Sequence, residues 1–141
     1  MKAMILAAGY GKRLLPLTKD TPKPLLKVGN KTLIERNINN LIKSGFSEIV
    51  INVSHLSKLI EGHVKEKFPK NNILFSFEER PLGTGGGVLK ALNILGAEPF
   101  LLINSDIYHC ISFTNFPKTT EAAHLIGVPK PDHNRNGDFS I

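Results

Sequence analysis

The chain has 141 residues, of which 41% are hydrophobic and 21% charged, a composition that argues for one folded domain and against global disorder. No apolar run approaches the roughly 18–20 residues of a membrane span, and Ala3-Met4-Ile5-Leu6-Ala7-Ala8 is too short for a secretory leader and runs into a glycine turn. The formal charge is +6, and residues 1–31 carry all of it: Lys2, Lys12, Arg13, Lys19, Lys23, Lys27 and Lys31 face only Asp20, while the rest of the chain balances. A positive field so localised suits a polyanion such as a nucleotide, a sugar phosphate or nucleic acid; a solvated lysine-rich loop is the plainer reading.

Lys2–Ala8 is an unalternating apolar run and predicts a buried strand that stops at Gly9. Residues 9–30 are long, basic and rich in glycine and proline, the mark of a functional loop. Thr32–Lys43 predicts an amphipathic helix, with Leu33, Ile34, Ile38, Leu41 and Ile42 at helical spacing and Ser44-Gly45 as its stop. Glu48–Val53 predicts a second strand, Lys58–Phe68 a second helix and Asn72–Phe77 a third strand. A helix follows from Thr84 to Leu95, then a fourth strand at Pro99–Ile103, a fifth at Ala122–Val128, and the start of another at residues 138–141. Strands alternating with helices imply an α/β domain over residues 1–141, with a Rossmann-like, doubly wound, mostly parallel sheet. In the usual order the first and fourth strands are neighbours where the strand order reverses. Ligands bind there, beyond the carboxyl ends of the strands. The segments leaving those two strands are Gly9–Lys12 and Asn104–Asp106, so a basic glycine loop and a carboxylate are expected at one crevice.

Four segments carry residue types suited to chemistry. In Gly9-Tyr10-Gly11-Lys12-Arg13 the glycines let backbone amides approach phosphate oxygens, and two cations follow at once. The segment is neither a dinucleotide fingerprint, since Leu14 takes the third glycine position, nor a Walker A loop. Phosphate binding and a plain tight turn both remain open. In Thr21-Pro22-Lys23-Pro24-Leu25 the prolines stiffen the chain around Lys23 and push it toward an extended conformation. That holds a point charge for phosphate, or merely stiffens a loop. In Leu82-Gly83-Thr84-Gly85-Gly86-Gly87 each glycine costs about 1 kcal/mol of helix propensity. A flat ligand against bare backbone or close helix–sheet packing would offset that cost. Glu78 and Glu79 just before it suit hydrogen bonds to a base, or solvent. In Asn104-Ser105-Asp106 a carboxylate ends a buried strand opposite the glycine loop, which suits Mg²⁺ shared with phosphates or a helix cap. The five histidines show no metal-ligand spacing. The lone Cys110 allows no internal disulfide, reads as a small buried hydrophobe and fits a reducing, cytoplasmic setting.

Taken in order across residues 2–106, Leu6-Ala7-Ala8-Gly9-x-Gly11-x-Arg13-Leu14, Pro22-Lys23-Pro24-Leu25, Leu82-Gly83-Thr84-Gly85-Gly86-Gly87 and Asp106 resemble the sugar-1-phosphate nucleotidyltransferases. Within that family the chain looks most like the short uridylyltransferases that act on N-acetylmuramate 1-phosphate in cell-wall (peptidoglycan) recycling. The mannose-1-phosphate guanylyltransferases share most of the motifs. The resemblance implies a nucleoside triphosphate and a sugar 1-phosphate as substrates, Mg²⁺ as cofactor, and an in-line attack that releases pyrophosphate. It further implies that Ala8, Gly9, Gly11 and Lys12 cradle the triphosphate and that Arg13 and Lys23 carry catalysis. Glu78 and Gly83 would lie near the base, Asn104 and Gly137 near the sugar, and Asp106 would hold the metal. Ser105 departs from the glycine that usually precedes that aspartate. The family's catalytic domains also run longer, so the chain corresponds to the N-terminal two-thirds of one. A second metal ligand and much of the sugar pocket would lie beyond it, and an open sheet edge would favour self-association.

Two other classes compete. A catalytically impaired nucleotide-binding module would keep the glycine loop and lose the reaction. A nucleic-acid binder would use the basic N-terminal segment, but two tyrosines and no tryptophan offer little for stacking, so neither nucleic acid nor a membrane is expected as a partner.

Overall fold

The computed structural model describes residues 1–117 and 122–127. Four strands form one all-parallel sheet: β1 (Lys2–Leu6), β4 (Glu48–Val53), β5 (Asn72–Phe77) and β6 (Phe100–Asn104), in the order β5-β4-β1-β6. A two-residue ribbon, β2 (Lys27–Val28) against β3 (Lys31–Thr32), stands apart from it. The helices are α1 (Leu33–Lys43), α2 (Ser57–Lys67) and α3 (Gly83–Leu95).

Strand β1 is central, and its Ala3, Met4 and Ile5 are fully buried. Side chains alternate across the sheet, so the two faces collect different cores. Ala3, Ile5, Ile49 and Ile51 meet Ile34, Ile38 and Leu41 of α1 and Ile60 and Val64 of α2. Met4 and Val50 meet Ala91 and Leu95 of α3 on the opposite side. The sheet is thus covered on both faces, as its unalternating strands require. The described residues contain no helix long and apolar enough to cross a membrane.

The first four expected strands and the three expected helices stand within two residues of their observed limits, and the differences have local causes. Thr32 is the N-cap of α1 rather than its first residue: its hydroxyl accepts the Glu35 N–H at 3.2 Å, and the Glu35 carboxylate accepts the Thr32 N–H at 2.6 Å. Strand β1 stops at Leu6 because the Ala7 N–H turns to a side chain, that of Asn52. The fifth strand expected at Ala122–Val128 does not form over residues 122–127, which carry no ladder bonds. The strand start expected at residues 138–141 lies outside the described residues. Cys110, expected buried, is exposed.

Burial works to raise the Glu35 pKa, but the Thr32 backbone N–H and hydroxyl, with the charges of His63 and Lys67, hold it below its ordinary value. The stability this contributes is present above the unfolded carboxyl pKa of about 4.3 and is lost as pH falls through the lower native one. Glu35→Gln should therefore flatten the acid limb of a series of urea midpoints. Thr32→Ala, which removes the reciprocal cap, should lower the unfolding free energy at neutral pH by about 1 kcal/mol in the same titration.

Candidate active site

The strand order reverses between β1 and β6, whose carboxyl ends lie side by side with Leu6 opposite Asn104. Above them opens a cleft of about 500 Å³. One wall is the loop that leaves β1. Gly11 turns it at φ +66°, the left-handed region that favours glycine. A Cβ there would lie 3.1 Å from the Thr18 side chain, whose buried hydroxyl donates to the Gly11 carbonyl at 2.9 Å. The turn is thus tied down from below, and Lys12 and Arg13 follow in a short 3-10 turn. Among the described residues neither cation pairs with a carboxylate. The Lys12 ammonium lies 5.2 Å from the Tyr10 ring centroid, and that ring tilts against His55 at 5.4 Å.

Lys23 is not on the extended stalk expected of a residue between prolines. It opens a 3-10 turn, closed by the Leu25 N–H to the Pro22 carbonyl at 2.8 Å and the Leu26 N–H to the Lys23 carbonyl at 3.1 Å. Pro24 fits inside that turn because it has no N–H to satisfy, and it is buried. The turn aims the Lys23 ammonium at Asp106, and the two form an ion pair across the cleft, both partly exposed. Asp106 is held by its own neighbour: the Ser105 N–H donates to the Leu6 carbonyl at 3.0 Å, and the Ser105 carbonyl accepts from buried Asn37 at 3.1 Å. Ser105, which stands where a glycine was expected, is itself buried.

Ala8, Gly9, Gly11, Lys12, Arg13, Lys23, Gly83, Asn104 and Asp106 all line this one cleft. Gly137 lies outside the described residues. Glu78 is the departure. It is 5% exposed and does not line the cleft. One carboxylate oxygen accepts from the Asn52 side chain at 2.7 Å and the other from the Leu82 N–H at 2.8 Å. A carboxylate so committed supports the wall instead of facing a ligand. Asn52, Tyr10, Ser105 and Thr84 line the cleft without having been singled out as site residues. Asn52 had a legible signal, a lone amide in the buried run Ile49–Val53. Tyr10 and Thr84 had none beyond adjacency to glycines.

The glycines divide by what surrounds them. A Cβ on Gly87 would come within 2.7 Å of the Asn52 amide nitrogen and 2.9 Å of the Glu78 carboxylate, and one on Gly86 within 2.8 Å of the Leu82 Cβ. Gly87 answers to the packing of α3 on the sheet, and Gly86 to the Leu82 side chain at the start of its own helix. A Cβ on Gly9 or Gly85 would meet nothing within 4 Å, and Gly9 has no positive φ. Gly9 therefore has no packing reason of its own to be glycine, and it faces the cleft.

A doubly covered parallel sheet with a cleft at its switch point defines a doubly wound α/β domain. The chain belongs to the nucleotidyl transferase family, whose sequence profile matches residues 2–137. It is 45% identical to an N-acetylmuramate alpha-1-phosphate uridylyltransferase of Neisseria meningitidis serogroup B, over all of this chain and 64% of that protein. It is 41% identical to a mannose-1-phosphate guanyltransferase of Schizosaccharomyces pombe, over 92% of this chain and 38% of the other. Among solved structures it resembles HddC from Yersinia pseudotuberculosis complexed with GMP-PN, with a TM-score of 0.67 and 32% identity over 74% of this chain and 47% of that one. The chain thus spans less than two-thirds of the length of these relatives.

The glycine division has a measurable consequence. Gly9→Ala should leave the urea unfolding free energy within about 0.5 kcal/mol of the natural protein, because nothing stands where its Cβ would go. Gly87→Ala should cost about 1–3 kcal/mol of stability through overpacking.

Proposed function

We propose that this chain forms the nucleotide-binding part of an enzyme that transfers a nucleoside monophosphate from a nucleoside triphosphate to a sugar 1-phosphate. The products are a nucleotide sugar and pyrophosphate. The observation that carries this reading is the ion pair of Lys23 with Asp106, which spans the cleft between the two strand ends beside the glycine loop. An ammonium and a carboxylate held together in a cleft can each exchange the other for an incoming group, the ammonium for phosphate oxygens.

The nucleophile is a phosphate oxygen of the sugar phosphate and is already anionic, so no general base is required. It forms a bond to the α-phosphorus as the bond to the bridging oxygen of pyrophosphate breaks in line. Such a reaction depends on positioning and on charge neutralisation. Backbone amides of residues 9–12 suit the β- and γ-phosphates, and Lys12 and Arg13 stabilise the charge that builds on the leaving pyrophosphate. Lys23 neutralises the α-phosphate and so admits a second anion beside it. Asn104, exposed at the end of β6, suits the sugar side.

Asp106 fits a Mg²⁺ ligand of the shared kind. It is a single cleft carboxylate, and the described residues hold no cluster of three metal-ligating side chains that would form an all-protein cage. When bound, Mg²⁺ supplies charge neutralisation across the phosphates. The uridylyltransferase at 45% identity favours UTP with N-acetylmuramate 1-phosphate, a pairing that would suit a role in peptidoglycan recycling. The guanyltransferase at 41% makes GTP with mannose 1-phosphate the alternative. A triphosphate substrate and a single exposed thiol suit the reducing cytoplasm.

Pyrophosphate release measured with Mg²⁺ and each pairing of UTP or GTP with the two sugar phosphates tests the reading. Release is expected with UTP and N-acetylmuramate 1-phosphate. Asp106→Ala should abolish it while sparing metal-free nucleotide binding. Nucleotide binding without release from any pairing would favour a binding module, and release undiminished in Asp106→Ala would remove that residue from the mechanism.

A further inference from the structure

Strand β4 buries Ile49, Val50, Ile51 and Val53 with Asn52 among them, 2% exposed. An amide in such a strand is costly unless both its ends are bonded. Here both are, and the partners dictate its orientation. The Ala7 N–H can only donate, so the Asn52 carbonyl oxygen faces it, at 2.8 Å. With that oxygen turned to Ala7, the Asn52 amide nitrogen faces Glu78 and donates to its Oε1 at 2.7 Å. The second Glu78 oxygen takes the Leu82 N–H at 2.8 Å. A continuous polar bridge therefore runs from the exit of β1 through the end of β4 to the start of α3.

The two segments it joins wall the same cleft. Ala7, Ala8 and Gly9 lie at one end of the bridge, Gly83 and Thr84 at the other. The α3 backbone presses on the bridge at Gly87, where a Cβ would collide with both Asn52 and Glu78. The β6 side of the cleft is outside this bridge: Ser105 and Asp106 are tied to Leu6, Asn37 and Lys23 instead.

We propose that Asn52 and Glu78 are positioning residues that hold the glycine loop and the start of α3 at the spacing a nucleoside triphosphate requires, so that they govern nucleotide affinity and leave the sugar-phosphate side alone. The proposal rests on the nucleotidyl-transfer reading above and deepens it. Its chemistry is specific, because the bridge can be rebuilt with reversed polarity. In Asn52→Asp/Glu78→Gln, the new carboxylate accepts from Ala7 and from the new amide, whose own oxygen accepts from Leu82. Either change alone breaks the pattern. Asn52→Asp sets two carboxylates against each other, and Glu78→Gln leaves one amide hydrogen facing a donor.

The experiment compares the natural protein, both single variants and the double variant at matched folded fraction. Affinity for UTP with Mg²⁺ is read by calorimetry, and KM for each substrate by pyrophosphate release. The single variants should lose about tenfold or more in UTP affinity, as expected for a broken buried bond to a charged group. KM for the sugar phosphate should stay within about twofold. The double variant should recover most of the lost affinity. Should a single variant fail to fold, Asn52→Ala replaces it, with the same loss expected. Singles that bind UTP like the natural protein, a double variant no better than the singles, or an equal loss for both substrates would each overturn the proposal. Absence of both UTP and GTP binding by the natural protein would instead overturn the nucleotidyl-transfer reading.

Discussion

Everything in this domain depends on β1 being paired on both sides. The strand has parallel partners along both edges, β4 and β6, and helices over both faces. Its interior residues consequently have no access to water, and its apolar sequence is a condition of the fold. The same double pairing creates the site. The chain builds outward from β1 to β4 and β5, then returns to add β6 on the opposite edge. The connections on the two sides of β1 diverge, and the gap between them is the cleft. The loop after β1 and the residues after β6 meet there although about a hundred residues separate them in the chain.

The cleft is built from two kinds of electrostatic contact with different purposes. Lys23 and Asp106 pair where both remain partly exposed, so desolvation is modest and each can change partners. Asn52 and Glu78 are bonded where water is almost excluded. A buried carboxylate is tolerated only when its oxygens are satisfied, and breaking one bond leaves the remaining group uncompensated. The exposed pair suits a site that must accept a ligand. The buried pair suits a part that must not move.

Much of the scaffold was legible in the sequence because its signals are local. Helical spacing in Leu33–Leu41 and the unalternating apolar runs at residues 2–6 and 48–53 follow from periodicity alone. The cleft lining was legible too, once topology placed the first and fourth strands together. Three expectations failed where local rules met a tertiary demand. The Lys23 backbone follows a turn instead of the extended path its flanking prolines favour, because the turn is what carries its ammonium to Asp106. Glu78 stands in an acidic pair before a glycine run, as a base-binding residue would, yet its oxygens are taken by Asn52 and Leu82. Ala122–Val128 is apolar enough for a strand, but residues 122–127 form no ladder, since apolarity alone does not provide a partner edge.

By itself the sequence determined the strand–helix alternation, the localisation of charge in the first 31 residues and the residue types available for phosphate chemistry. These are properties of short stretches, set by side-chain periodicity, backbone freedom and formal charge. Only the tertiary structure decided which of those residues face one another. Whether Glu78 touches a ligand or a wall, and whether a glycine in 83–87 serves packing or an open cleft, depends on atoms brought in from β4. A hydrogen bond is decided within a few tenths of an ångström, and no spacing along the chain carries that information.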